Sequence, residues 1–317
     1  MAAVQPARVL IKARWIIPVI PEGRVFENCA LVIQGNDIAA ILPAEEAEKR
    51  YKAEQTISLD NHLLIPGLIN AHGHAAMSLL RGFAEDLPLE TWLEDHIWPL
   101  EGRHVDARFV EDGTELAIAE MIKSGTTCFA DMYFYPEAVA RVAQRTHMRC
   151  QIAFPVMELE THWARSSDEC IEKGLALRDE YRGDELIRIA FGPHAPYSLG
   201  DEALKKIAIL AQELEAPIHI HLHETASEIE QSQREHDMRP SQRLAQLGLM
   251  SVLTQCVHMT QIDESDIELL QNCGAHVIHC PESNAKLASG FCPVALLQQK
   301  GINVALGTDG AASNNDL

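Results

Sequence analysis

His72 and His74 stand two residues apart in Ala71-His72-Gly73-His74, directly after the apolar run from Leu63 to Asn70. On an extended strand such a pair points to one face, and imidazole nitrogen is a good ligand for a divalent metal. Gly73 between them lets the backbone approach closely. A second cluster reads His219-Ile220-His221-Leu222-His223-Glu224. Its three histidines share a face by the period of two, so periodicity does not choose among them. His194, His258, His279 and Asp309 each close a further apolar run. One histidine at a strand end is ordinary packing. A whole set of runs ending in His or Asp points instead to a metal or proton-transfer site.

The elements that must position these residues alternate along the chain. The apolar runs are 63–70, 126–132, 150–156, 187–192, 217–223, 253–260, 276–280 and 303–307. Helical patterns lie between most of them, at 110–124, 168–182, 201–215, 227–248 and 263–272. Strand-helix alternation implies a parallel sheet, and eight units close naturally into an α/β (β/α)8 barrel. Reactive side chains then cluster where the strands end and the βα loops begin. A doubly wound open sheet is the competing architecture, but no Gly-x-Gly-x-x-Gly follows a strand and no Walker loop occurs, so dinucleotide and nucleoside-triphosphate readings lose their support. Residues 1–62 read differently, as short strands at 8–13, 29–33 and 38–42, with a hairpin turn at Gln34-Gly35-Asn36-Asp37. This segment has too little core to stand alone.

Composition narrows the function classes. Across 317 residues, 46 acidic side chains oppose 26 basic ones, a formal net charge of −20. Such a surface repels polyphosphate, which argues against nucleic acid as a partner and leaves room for a small neutral nucleoside. No apolar run approaches the length of a membrane span, and the run Trp15–Ile20 lacks the features of a signal peptide. The eight cysteines form no Cys-x-x-Cys and are expected to be reduced thiols in a cytoplasmic protein.

With these motifs in chain order, the sequence resembles the amidohydrolase superfamily, in the branch of hydrolytic deaminases and chlorohydrolases acting on nitrogen heterocycles. The residues that carry the resemblance are Pro66-Gly67-Leu68-Ile69-Asn70-Ala71-His72-Gly73-His74, His221-Leu222-His223-Glu224, His258, the run 283–290 beginning Ser283-Asn284-Ala285-Lys286, and the run 307–315 beginning Gly307-Thr308-Asp309-Gly310. Within the branch it is most similar to the 5-methylthioadenosine/S-adenosylhomocysteine deaminases. The matching stretches are the run 80–87, Trp92-Leu93, Pro99-Leu100-Glu101 and Gly192-Pro193-His194-Ala195-Pro196-Tyr197.

The resemblance implies a distorted (β/α)8 TIM-type barrel over 63–317 and a small β-sandwich-like domain over 1–62. The family continues for about a hundred residues past the last strand motif, as barrels with insertions do, so partner strands for the small domain are expected from a C-terminal segment. The resemblance also implies His72, His74, His221 and Asp309 as ligands of one divalent metal. Zinc suits this set, and Fe2+ or Mn2+ would fit too. The family's His-x-x-Glu spacing selects His221 and Glu224, leaving His219 as a deeper core histidine and His223 as a residue around the site. Binuclear relatives carry a lysine after the fourth strand, where Ala190-Phe191-Gly192 has none.

The implied catalytic residues are Glu224, His258 and Asp309. Glu224 would protonate the ring nitrogen beside the attacked carbon and then the leaving amine. Asp309 would accept a proton from water, and His258 would orient that water and stabilise the tetrahedral centre. The implied substrate contacts are Glu101 to ribose hydroxyls, His194 to the base or ribose, Trp92 as a pocket wall and Ser313 to the base, together with Glu224 and Asp309. The expected activity is zinc-dependent hydrolytic deamination of methylthioadenosine or S-adenosylhomocysteine by a homo-oligomer. The alternatives are a guanine, pterin or triazine substrate, or a non-catalytic scaffold. Some relatives bind substrate through an arginine near the end of the third strand, but Ile152-Ala153-Phe154-Pro155-Val156 offers none.

Overall fold

The computed structural model describes residues 4–84 and 87–315. Glu85 and Asp86, part of the run singled out above, lie outside the described residues, as do the first three and last two positions. The chain divides into two compact units, Met1–Gly67 and Leu68–Leu317.

The described residues of the first unit hold one four-stranded sheet, in the order β3-β2-β1-β4. Its strands are β1 (Gln5–Ile16), β2 (Phe26–Gln34), β3 (Asp37–Pro43) and β4 (Tyr51–Leu64). The expected turn is present: Gln34 pairs with Asp37 around Gly35, whose φ is +59°, a conformation glycine adopts without strain. Strand β4 is absent from the sequence reading. Its residues Glu54, Asp60, Asn61 and His62 are polar, and most of the strand is at least half exposed, so it carries little apolar signal. It pairs in parallel with β1 along nearly its whole length. The apolar run 63–70 is split between two elements, the end of β4 and the start of β5 (Leu68–Gly73), because Pro66-Gly67 breaks the extended strand between them.

The described residues of the second unit hold eight strands: β5 (Leu68–Gly73), β6 (Thr126–Asp131), β7 (Arg149–Val156), β8 (Ile187–Pro193), β9 (Ile218–Leu222), β10 (Thr254–His258), β11 (His276–His279) and β12 (Val304–Leu306). Each pairs in parallel with the next in the chain. The ring closes where the Asp309 N–H donates to the His72 carbonyl at 3.0 Å and Gly73 bridges to Asp309. This is the α/β barrel that the alternation predicts. Phe129, Phe154, Phe191, Ile152, Ile220 and Val277 are buried in its core. Among the described residues no helix is long and apolar enough to cross a membrane.

The outer helices begin where the sequence supplies caps. Asp106 accepts from the Phe109 N–H at 2.8 Å to start Ala107–Ser124, and Gly125 ends that helix at φ +90°. Ser166 and Asp263 cap Ser167–Glu180 and Glu264–Cys273 in the same way. The helix expected over 227–248 is two, Ala226–His236 and Pro240–Gln246, because proline favours the first turn of a new helix over the interior of an old one.

One close approach controls the ring at the site. A Cβ placed on Gly307 would lie 2.8 Å from the His72 Cβ and 2.9 Å from the His72 backbone N and O. Gly307→Ala is therefore expected to cost about 1–3 kcal/mol, the usual range for overpacking, seen as a lower denaturant midpoint. A variant as stable as the parent would contradict that contact.

Candidate active site

The C-terminal ends of β5, β8, β9 and β10, together with the loop after β12, surround one cavity of about 700 Å³, open mouth included. His74, His221, Glu224, His258 and Asp309 line its floor, and His72 lies beneath them with no exposure to solvent. Leu93, Ile97, Trp98, Phe134, Pro155, Met157 and Leu287 form apolar walls. Glu101, His194, Trp92 and Ser313, all singled out from sequence, also line it. Two members of this wall keep a buried polar atom without a partner among the described residues: the His194 Nδ1 and the Trp92 Nε1. Buried polar groups are normally paired, so both mark places where a ligand's polar groups would fit.

Hydrogen bonds at the far side of each floor histidine decide which nitrogen faces inward. The His74 Nδ1 donates to the Met132 carbonyl at 2.5 Å, and the His221 Nδ1 donates to the His194 carbonyl at 2.7 Å. His72 is set by a relay. The His219 Nδ1 donates to the Gln255 Oε1 at 2.7 Å, so its Nε2 accepts from the His72 Nδ1 at 2.8 Å. Burial holds His219 neutral, with its pKa lowered to about 4. Gln255 in turn exchanges two amide hydrogen bonds with Gln151. All three Nε2 atoms therefore point into the same space.

The distances there are short. His72 Nε2 and His221 Nε2 are 3.2 Å apart, and the Asp309 Oδ1 lies 3.3 Å from His72 Nε2 and 3.1 Å from His74 Nε2. Two overlapping donor groups fall within 4.8 Å: His72, His74 and Asp309, and His72, His221 and His258. Inward lone pairs and a carboxylate gathered in a buried site fit a divalent cation by the chemistry of the donors. Burial lowers the pKa of His72 and His221 well below the ordinary value, which keeps their ligating form. Burial also works against charge on His74, but the Asp309 carboxylate, the Met132 carbonyl and Asp131 outweigh it and raise its pKa to about 9. Asp309 itself is held well below the carboxylate range, because the adjacent His72 and His74 imidazoles outweigh the cost of burial.

Around this cluster, His258 Nε2 is 3.7 Å from the Glu224 Oε2 and 4.0 Å from the Asp309 Oδ2. Burial pushes the Glu224 carboxyl upward, only partly offset by His258. Glu101 Oε1 accepts from the Tyr133 hydroxyl at 2.6 Å, and burial raises its pKa to about 7. A second cavity shares Trp98, Glu101 and Phe134 with the first and continues along Val105, Leu159 and Trp163.

His219 and His223 stand apart from the donor cluster. His219 is buried below His72, and the His223 ring is bound between the Gln261 carbonyl and the Ser241 N–H, both at 3.0 Å. His279 keeps a buried Nδ1 without a partner among the described residues but is outside the cavity lining.

Four residues of the site escape the sequence reading. Asp131 accepts the Ala75 N–H at 2.6 Å and ends β6, which was the available signal. Ser283 donates to the Asp309 Oδ2 at 2.6 Å, and Asn284 binds the His258 Nδ1 at 2.8 Å. Both belong to a quoted motif but carry no ligand chemistry of their own. Tyr133 follows the β6 strand and has no periodic signal.

Comparison with known proteins gives the family. The model of the amidohydrolase family matches residues 63–317. A 5-methylthioadenosine/S-adenosylhomocysteine deaminase of Saccharophagus degradans is 59% identical over 312 residues, 98% of this chain and 70% of that protein. The crystal structure of an adenosine deaminase from Xanthomonas campestris with bound zinc superposes at TM-score 0.98 and 44% identity, covering 99% of this chain and 72% of that one. Atrazine chlorohydrolase from Arthrobacter aurescens, complexed with zinc, superposes at TM-score 0.89 and 22% identity over 97% of this chain and 73% of its own, a likeness of fold. By its family match and its identity to the Saccharophagus protein, the chain belongs to the amidohydrolase family, in the group of the 5-methylthioadenosine/S-adenosylhomocysteine deaminases.

Proposed function

We propose that this chain is a metal-dependent hydrolytic deaminase that replaces the 6-amino group of a 5′-substituted adenosine with oxygen and releases ammonia. Its substrates on this reading are 5′-methylthioadenosine and S-adenosylhomocysteine. The observation that carries the reading is the inward-facing donor cluster with the buried Glu224 carboxyl beside it, 3.7 Å from His258. Identity of 59% to a relative of that activity supports the substrate class.

We assign His72, His74, His221 and Asp309 as the holders of one zinc ion per chain. The zinc named in the Xanthomonas structure supports the choice of metal. When bound, such a cation supplies the Lewis acidity that makes water a nucleophile near neutral pH.

The protein's own groups then divide the proton work. Glu224 delivers a proton to ring N1, which breaks the aromaticity and makes C6 electrophilic. As water's oxygen bonds to C6, Asp309 takes its proton. His258, with its ring anchored by Asn284, orients that water. Glu224, now a carboxylate, takes the proton of the C6 hydroxyl and passes it to the 6-amino nitrogen; the C6–N bond breaks, C6=O forms, ammonia leaves, and the proton held by Asp309 restores the Glu224 acid. Burial of Glu224 supports this role, because it raises the carboxyl's pKa and so makes it a better-matched proton carrier than an exposed carboxylate.

Recognition falls to the walls. Glu101 accepts hydrogen bonds from the ribose 2′- and 3′-hydroxyls, while His194 and Ser313 meet polar atoms of the base or ribose. Trp92 forms part of the wall. The cavity beyond Glu101 supports the reading further, since it offers room for a 5′ substituent. We place the enzyme in the cytoplasm, a reading supported by its eight unpaired cysteines.

Two substitutions test these roles by ammonia release. Glu224→Gln should keep its metal and lose at least about 100-fold in turnover, typical of a removed general acid; retention of half the parent rate would sink the assignment. Glu101→Ala should lower kcat/KM for methylthioadenosine by about two powers of ten, since a charge-assisted hydrogen bond contributes ~1.5–3 kcal/mol. It should also erase the preference for a ribonucleoside over its deoxyribose analogue. An unchanged ribose preference would move the weight to a free base such as guanine, or to a triazine.

A further inference from the structure

Beside Glu224 lies a second buried carboxylate that the reaction does not use. Glu228, in the first turn of the helix Ala226–His236, is 5% exposed. Its Oε1 accepts the His223 N–H at 3.0 Å and its Oε2 accepts the Glu224 N–H at 2.7 Å. One carboxylate thus clamps both main-chain donors around the His223–Glu224 peptide.

That peptide needs a clamp. His223 has φ +54°, a left-handed conformation that a side chain with a Cβ rarely adopts and that persists only where neighbours over-determine it. The turn interrupts the alternation of β9 and brings the Glu224 carboxyl to 3.7 Å from His258. The carbonyl side of the turn is held as well. His223 O accepts the Thr260 and Gln261 N–H groups at 3.0 Å, and Glu224 O accepts the Thr260 hydroxyl at 2.6 Å.

The ordinary explanation of Glu228 is a capping box. Thr225 is the N-cap and accepts the Glu228 N–H at 3.3 Å, and the Thr-x-x-Glu spacing is that of the motif. A capping-box carboxylate stops at the N–H of the N-cap residue. That of Glu228 meets the Thr225 N–H and extends beyond it to the N–H groups of the two residues before it.

We propose that Glu228 is a positioning residue for deamination, whose carboxylate holds the left-handed turn that aims Glu224 at the reacting ring. The proposal rests on the reading of Glu224 as the proton carrier.

The test is made in the full chain with Glu228→Gln, which keeps the size and one acceptor but sets an amide N–H2 against a main-chain N–H. The expected result is a fall in kcat of about 10- to 100-fold, the scale of a misplaced reacting group, with KM within about threefold and the metal content unchanged. In a Glu224→Gln background the same change should add less than about a twofold loss, because both act through one group. Thr225→Ala, which removes the cap and leaves the clamp, should lower the melting temperature without lowering kcat. Should Glu228→Gln fail to fold, Glu228→Asp retains the charge but falls one methylene short, and kcat should drop with metal retained. Parent-like kcat in either folded Glu228 variant would overturn the proposal. So would a loss that adds fully to that of Glu224→Gln, or a kcat loss in Thr225→Ala equal to that in Glu228→Gln. If Glu224→Gln itself turned over normally, the proton-carrier reading would fall instead.

Discussion

Three imidazole nitrogens and a carboxylate are forced to face one another inside the barrel mouth. At 3.2 Å, two nitrogen acceptors with no proton between them repel, and burial strengthens that repulsion because little solvent screens it. A divalent cation turns the same geometry from a cost into a gain, since metal binding to a preformed site adds to folding free energy. The tautomers are not left to chance. The Met132 and His194 carbonyls fix two of them, and the Gln151–Gln255–His219 chain fixes the third. Partners of this kind orient ligands and raise their basicity.

The barrel supplies the rigidity this convergence demands. His72, His221 and His258 lie on strands whose ladders limit their movement, while Asp309 closes the ring by bonding to His72 itself. Where the chain leaves the strands, the backbone is strained. His223, His258, Met259 and Asp309 all have positive φ, and such outliers gather at functional sites because the surrounding structure must hold them there. Gly307 contributes by leaving no side chain between two backbones that nearly touch.

Much of this was legible in the sequence, for identifiable reasons. Strands buried on both faces leave short apolar runs, and histidines at their ends leave a residue type that packing alone rarely requires. His72, His74, His258 and Asp309 were therefore visible, and so was the barrel, whereas His221 and Glu224 were singled out from their neighbours only by the resemblance to a family spacing. Strand β4 was not, because a largely exposed strand carries polar residues. The break at Pro240 was available but was overridden by the periodicity around it. Asp131, Tyr133 and Glu228 were hidden for another reason. Their roles come from tertiary contacts with residues 56, 32 and 5 positions away, and neither a buried carboxylate on a helix nor a tyrosine after a strand is unusual in itself.

The claim that the histidine cluster is a cation site is tested most directly by stripping the purified chain with a chelator and titrating zinc back. Metal content and thermal melting are then followed together. The expected result is one equivalent bound per chain, with a melting temperature that falls on stripping and climbs with free zinc, as linkage requires of a ligand that binds only the native state. His221→Ala should abolish most of that rise. Melting indifferent to chelation and zinc, or two equivalents bound per chain, would contradict a single cation held by His72, His74, His221 and Asp309.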